Sequence, residues 1–282
     1  MVCRLAEALP NSDTRAEMKE TLVECVRQAG ALVLRHFGKT DRPKRKGNAS
    51  NIVTAADLAS ERLIAGFIRR RYPDHNLLGE EEGLQHRGSD ITWVIDPLDG
   101  TSNFAAGLPW FGIMVAVLQQ AKPILAAVYL PVTDALYTAE HGNGAFRNGK
   151  PLRMNSENEL SNTLCAYGLD AGADDEALAK QTRLMGLLVK KARNVRQTNC
   201  LLDFTYTLDG HLGAWVNQHC KIWDVAPACL LFPEAGGHIT DLQGGDIHLE
   251  LNPGKYLRNY GVIAANPSLH RQVLNLARDA GF

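Results

Sequence analysis

Several large classes of protein are excluded by what this chain lacks. Its longest apolar stretches, residues 111–118 and 124–132, fall well short of the roughly 20 residues that cross a bilayer, so no membrane partner is expected. The N-terminal segment carries Arg4, Glu7 and Asp13 and has no apolar core of the kind a secretory leader needs. Six cysteines are scattered without a C-x-x-C pair. That spacing argues against a thiolate zinc site and fits the reduced, buried thiols of a cytoplasmic protein. Neither charge sign dominates: 30 Lys and Arg stand against 31 Asp and Glu. Such a balance sets up no field to attract nucleic acid or an anionic membrane, so neither is an expected partner and a small molecule is. The chain has no internal repeat, no low-complexity tract and no convincing Ser, Cys or His triad.

What is present is an ordinary globular composition, 45% apolar and 22% charged over 282 residues. That length serves one large core or two smaller ones. Thr14 and Glu17 form a potential capping box for a helix whose apolar residues keep helical spacing from Met18 to Val33. Residues 38–51 are nearly free of apolar side chains and read as an exposed, mobile loop. A second helix opens near Thr54, with Leu63, Ile64, Phe67 and Ile68 on one face, and stops before Pro73. Strands are predicted up to Leu78, over 92–95, over 111–118 and over 124–129, the last two joined through Lys122-Pro123. Further strands at 136–138 and 144–147 precede an Asn148-Gly149 hairpin turn. After residue 150 the pattern alternates: strands at 163–167, 194–196, 214–216 and 261–264, and helices at 174–191, 200–208 and 223–234. Asn266-Pro267 caps the last helix. Such alternation implies an α/β layer. The expected division is an α+β half, 1–150, carrying most of the acidic motifs, and an α/β half, 151–282, carrying Asp224 and the substrate pocket.

The most informative segment is the run from Trp93 to Phe104, with Asp96-Pro97-Leu98-Asp99-Gly100-Thr101-Ser102 at its centre. An apolar strand delivers Asp96 at its end, and a turn three residues on can aim Asp99 at the same point. Gly100, Thr101 and Ser102 can then open a helix whose N–H groups face that point. Hard carboxylate oxygens beside an anion-binding helix start suit Mg²⁺ and a phosphate. Taken singly, Asp99 or Thr101 has a plainer alternative as an N-cap, for which D-G-T is good chemistry. Glu80-Glu81-Glu82 is, by itself, either a solvated acidic turn or the source of one more metal ligand. Asp224, after Trp223, is an ordinary N-cap when read alone, and Asp57, three residues after Thr54, fits a plain capping box.

Taken together and in order, G-E-E, D-P-L-D-G-T-S-N-F and K-I-W-D-V-A-P-A-C-L-L-F-P-E-A-G-G resemble the inositol monophosphatase family over about residues 15–280. The resemblance implies a layered αβαβα sandwich (an α/β, α+β fold), a homodimer and lithium-sensitive, Mg²⁺-dependent phosphatase activity. It implies that Glu80, Asp96 and the Leu98 carbonyl hold one Mg²⁺, that Asp96, Asp99 and Asp224 hold a second, and that Glu80 contributes to a weaker third. Mn²⁺ is expected to substitute. Asp57 and Thr101 would activate the attacking water, and Gly100, Thr101 and Ser102 would bind the phosphate. Lys46 would stand in the place of a catalytic-loop lysine, its alternative being one more solvated cation beside Lys44 and Arg45.

The same resemblance marks where this chain departs from its kin. Thr198-Asn199-Cys200 occupies the place of a Gly-Ser-Ala stretch, which puts Cys200 at the substrate pocket beside Asp99 and Asp224. Asn217, seven residues before Asp224, replaces an acidic residue that binds inositol hydroxyls. Lys221 reads either as a surface cation or as a group facing a second anion. The expected substrate is therefore an inositol monophosphate or a related small polyol or sugar phosphate. Fructose 1,6-bisphosphate, histidinol phosphate or a nucleotide 3′-phosphate is the runner-up. From a different class comes a non-catalytic regulatory or RNA-associated protein on the same fold, for which the short positive patch at 42–46 is the only favourable feature.

Overall fold

A computed structural model describes residues 9–39, 43–45, 52–169 and 174–282. In chain order the elements begin with α1 (Ser12–His36), β1 (Lys44–Arg45), β2 (Ile52–Val53), α2 (Ala55–Arg71), β3 (Asn76–Gly79), β4 (Gly83–Gln85), β5 (Ile91–Asp99) and α3 (Thr101–Ala105). Then come the strands β6 (Gly112–Gln119), β7 (Lys122–Leu130), β8 (Ala135–Glu140), β9 (Gly144–Arg147), β10 (Lys150–Leu152) and β11 (Leu164–Tyr167). The remainder is α4 (Asp175–Lys191), β12 (Asn194–Arg196), α5 (Leu202–Leu208), β13 (Ala214–Cys220), α6 (Ile222–Glu234), β14 (His238–Thr240), β15 (Tyr260–Ala265) and α7 (Pro267–Ala280).

Two sheets organise the chain. The larger runs β10-β9-β8-β7-β6-β5-β3-β4, and the smaller runs β12-β11-β13-β15-β14. Side chains on successive residues of a strand point to opposite faces, and β6 uses both. Ile113, Val115 and Val117 pack with Met18, Leu22 and Val26 of α1 and Ile64 and Ile68 of α2. Met114, Ala116 and Leu118 pack the other way, against Phe204 of α5, Val225 and Leu231 of α6, and Trp215 and Val262 of the smaller sheet. The far face of that sheet, with Tyr167, Val216 and Ile263, is covered by Leu184 and Leu188 of α4 and Leu269 and Val273 of α7. The order of layers is helix, sheet, helix, sheet, helix, the expected αβαβα sandwich. An all-apolar strand such as β6 follows from burial on both faces.

Several local expectations need correction. The N-cap of α1 is Asn11, whose side chain accepts from Thr14 N at 2.8 Å, so the helix starts ahead of the Thr14–Glu17 box. The β6–β7 turn is made by Gln120 and Ala121, both at positive φ, rather than by Lys122-Pro123, which belong to β7. Two consecutive left-handed residues give a turn whose twist matches the flanking strands. Asn148 and Gly149 do the same between β9 and β10, as predicted. In the stretch expected as a loop, the described residues Lys44 and Arg45 pair antiparallel with Val53 and Ile52. The strand predicted over 92–95 runs on to Asp99, because its irregular register against β6 between Asp96 and Asp99 lets it continue through Pro97.

Candidate active site

Two carboxylates from the end of β5 and one from the first turn of α6 meet in one cleft. Asp96, Asp99 and Asp224 each offer an oxygen such that all three lie within 4.8 Å of one another. Asp96 is 1% exposed. Burial, then the charges of Glu80, Asp99 and Asp224, pushes its pKa well above the usual carboxylate value. Asp99 is displaced the same way, by burial and by Asp224, while an N–H bond from Leu201 pulls in the opposite sense. Like charges crowded in a low-dielectric site destabilise one another. A bound divalent cation relieves that repulsion, and oxygen-only donors are what hard cations take. The donor set therefore fits Mg²⁺.

Asp99 belongs to this cluster and not to a helix cap. The N-cap of α3 is Gly100, at φ +85° and with no side-chain cap bond, and Asp99 bonds instead to Leu201, far along the chain. Asp57 serves both readings at once. Its Oδ2 accepts from Thr54 N at 2.9 Å and Thr54 Oγ1 at 2.5 Å, which is the helix cap. Its Oδ1 accepts from Thr101 Oγ1 at 2.9 Å. Asp57 is fully buried. The Thr101 hydroxyl also lies 2.9 Å from the Leu98 carbonyl oxygen, so its single proton has two acceptors to choose between. Asp224 has a similar double role, accepting from Lys221 N at 2.6 Å within the first turn of α6.

Glu80 lines the same cleft, although the mutual 4.8 Å set consists of the three aspartates. The turn that carries it is held by a residue that the motif reading passed over. Glu61, 2% exposed on α2, accepts from Glu81 N at 2.9 Å and Glu82 N at 2.8 Å. A Cβ on Gly79 would lie 2.1 Å from Glu61 Oε1, so any larger residue there would displace the carboxylate that holds the turn. The available signal was spacing: Glu61 follows Asp57 by one helical turn, on the same face. Asp203 was missed as well. It accepts from Thr198 N at 3.1 Å, Thr198 Oγ1 at 2.7 Å and Asn199 N at 3.1 Å, and so shapes the loop before α5. That helix starts at Leu202 instead of the predicted 200. Asn103 ties the same loop to the acidic motif, donating to Thr198 O at 2.9 Å.

A cleft of about 490 Å³ joins these groups. Besides the carboxylates it is lined by Leu98, Gly100, Thr101 and Ser102, and by the predicted pocket residues Cys200 and Asn217. Burial and the nearby Asp99 charge hold the Cys200 thiol well above its ordinary pKa, which makes it a poor nucleophile. Lys46 lies outside the described residues.

A model of the inositol monophosphatase family matches residues 14–281. The chain belongs to the inositol monophosphatase family. Among curated relatives of this inositol monophosphatase family member, the Nus factor SuhB of Pasteurella multocida is 33% identical over 268 residues, spanning 92% of this chain and 94% of that one. Among solved structures, the extragenic suppressor protein suhB of Bartonella henselae superposes with a TM-score of 0.85 at 27% identity, covering 95% of this chain and all of that one. An IMPase/NADP phosphatase complexed with Mg²⁺ and phosphate superposes with a TM-score of 0.80, covering 93% and 95% of the two chains. At 23% identity that last likeness is one of fold.

Proposed function

We propose that this member of the family is a Mg²⁺-dependent phosphomonoesterase that hydrolyses a small phosphorylated metabolite by direct attack of water. The observation that carries the reading is the meeting of Asp96, Asp99 and Asp224 beside the Asp57–Thr101 hydrogen bond. Glu80, Asp96, Asp99, Asp224 and the Leu98 carbonyl are the groups that would hold the metal. Mg²⁺ in such a site draws charge from the phosphoryl oxygens and acidifies water. Thr101 Oγ, donating its proton to Asp57, presents a lone pair to the attacking water and orients it. Asp57 is the terminal acceptor of the proton that leaves the water as its oxygen bonds to phosphorus. The ester P–O bond breaks on the opposite side with its electron pair leaving on the alkoxide oxygen, which takes a proton from solvent while Asp57 releases its own to solvent, so that the products are inorganic phosphate and the alcohol. Main-chain N–H groups at Gly100 and Thr101, with the Ser102 hydroxyl, are assigned to the phosphate. The substrate class is an inositol monophosphate or a related polyol or sugar phosphate.

The name Nus factor, borne by curated relatives, favours a second reading in which the fold serves a binding role without turnover. An Asp57–Thr101 pair aimed at a carboxylate cluster has no evident use in such a protein. Phosphate release from a generic phosphomonoester, assayed with Mg²⁺ and with EDTA, separates the two. Metal-dependent release supports the enzyme, and its absence from freshly purified, folded protein favours the binding role.

A further inference from the structure

Strand β13 forms one wall of the cleft, its alternation broken near its end, where Cys220 also lines the cleft. Trp215, Asn217 and His219 line it, as does Lys221 just beyond the strand. Val216 turns the other way into the outer core, and Gln218 donates to Tyr167 Oη at 2.6 Å on that side. The only carboxylates lining the cleft among the described residues are those at the metal end, Glu80, Asp96, Asp99 and Asp224, and Lys221 is its only lysine or arginine.

These β13 side chains are arranged as donors. Asn217 Oδ1 accepts from His219 N at 2.9 Å, which leaves the amide nitrogen, beside Gly168, as the donor of that side chain. The buried Gln181 donates from its Nε2 to His219 Nε2 at 2.9 Å, which fixes the ring and leaves Nδ1 to carry its proton. Lys221 Nζ donates one proton to the Leu257 carbonyl at 2.5 Å, and an ammonium carries three. A wall that binds the hydroxyls of a neutral polyol gains from carboxylate acceptors, and this wall has none. Donors and a cation suit anionic oxygens.

We propose that Asn217, His219 and Lys221 recognise a second anionic group, a carboxylate or a further phosphate, on the leaving group of the substrate. The proposal rests on the phosphatase reading of the same cleft and moves the preferred substrate away from inositol monophosphate, toward phosphomonoesters whose leaving group carries a second, separated anionic group.

The test compares kcat/KM, with Mg²⁺, for matched pairs: 2-phosphoglycerate against glycerol 2-phosphate for the carboxylate, and fructose 1,6-bisphosphate against fructose 1-phosphate for the phosphate. The doubly anionic member of at least one pair is expected to be preferred by about tenfold or more. Lys221→Met should bring that ratio below about threefold, whereas Lys221→Arg should keep most of it. Tryptophan fluorescence provides a second readout, since Trp215 and Trp223 line the cleft. Titration of folded Lys221→Met with 2-phosphoglycerate should give weaker binding than wild type, irrespective of turnover. Metal-dependent turnover with ratios near one in both pairs, or ratios unmoved by Lys221→Met, overturns the proposal and leaves the phosphatase intact. Failure of all four esters to turn over removes the phosphatase reading, and this proposal with it.

Discussion

At the scale of single residues, the site is built from side chains that each satisfy more than one demand. Asp57 closes a helix cap with one oxygen and receives Thr101 with the other. Asp96 is the most deeply buried of the acidic cluster and feels three other carboxylates. Asp96→Asn should therefore lower turnover by about 10³-fold or more, through loss of metal-borne charge stabilisation. In EDTA the same variant should be more stable than wild type by about 1 kcal/mol, because a repelled buried charge has been replaced by a neutral amide. Thermal unfolding with and without metal checks both halves. Mg²⁺ at a hundred times its dissociation constant should stabilise wild type by about 2.7 kcal/mol, and Asp96→Asn by little. Wild-type turnover in this variant would remove Asp96 from the proposed metal site. Glu61 makes a different kind of contribution, holding two N–H groups of the acidic turn. Glu61→Gln replaces one acceptor with a donor facing an N–H, and should cost about 1–3 kcal/mol. Its kcat should fall through a displaced Glu80, with the apparent Mg²⁺ affinity falling alongside. A wild-type Mg²⁺ dependence would separate Glu61 from the metal end.

At the scale of elements, the decisive piece is the β5–α3 junction. An apolar strand ends in a left-handed glycine, and a five-residue helix starts immediately after it. Gly100 needs its freedom twice: its φ is +85°, and a Cβ there would lie 2.5 Å from the Trp110 carbonyl oxygen. The second contact is with backbone, which cannot swing aside as a side-chain tip does. Gly100→Ala should destabilise the protein by about 2–3 kcal/mol. It should also reduce activity out of proportion to the unfolded fraction, since Asp99 and Thr101 flank the position. Denaturant titration alongside kcat/KM at a temperature where the variant is folded tests this. A variant of wild-type stability would contradict the close approach.

At the scale of the whole molecule, the outer layers carry their own sensitivity to pH. His270 on α7 is 5% exposed, lies 2.9 Å from Thr240 Oγ1, and stacks edge-on with His238. Burial, then the neighbouring His238, pushes its pKa down from 6.5 to about 4. Between those values the unfolded chain binds a proton that the folded chain refuses. Stability is thus fully present above about pH 6.5 and is lost progressively as pH falls toward about 4. His270→Gln, which keeps a hydrogen-bonding group for Thr240, should flatten this part of the stability–pH curve. An unaltered slope in urea titrations between pH 6.5 and 4 would show that another group governs it.

Much of this organisation was legible before any coordinates. The apolar run 111–118 was legible as a strand, and the D-P-L-D-G-T run announced paired carboxylates and a helix start. Asn148-Gly149 and Asn266-Pro267 specified their own turn and cap. Each of these is a property of a few consecutive residues, because turn chemistry and side-chain period act within one element. The sequence could not say that Asp99 bonds to Leu201 rather than capping its own helix, nor that Glu61 braces the acidic turn. It also left open whether Lys221 faces solvent or the cleft. Those outcomes depend on which faces of distant elements are pressed together when the layers stack, and packing of that range is decided only by the folded whole.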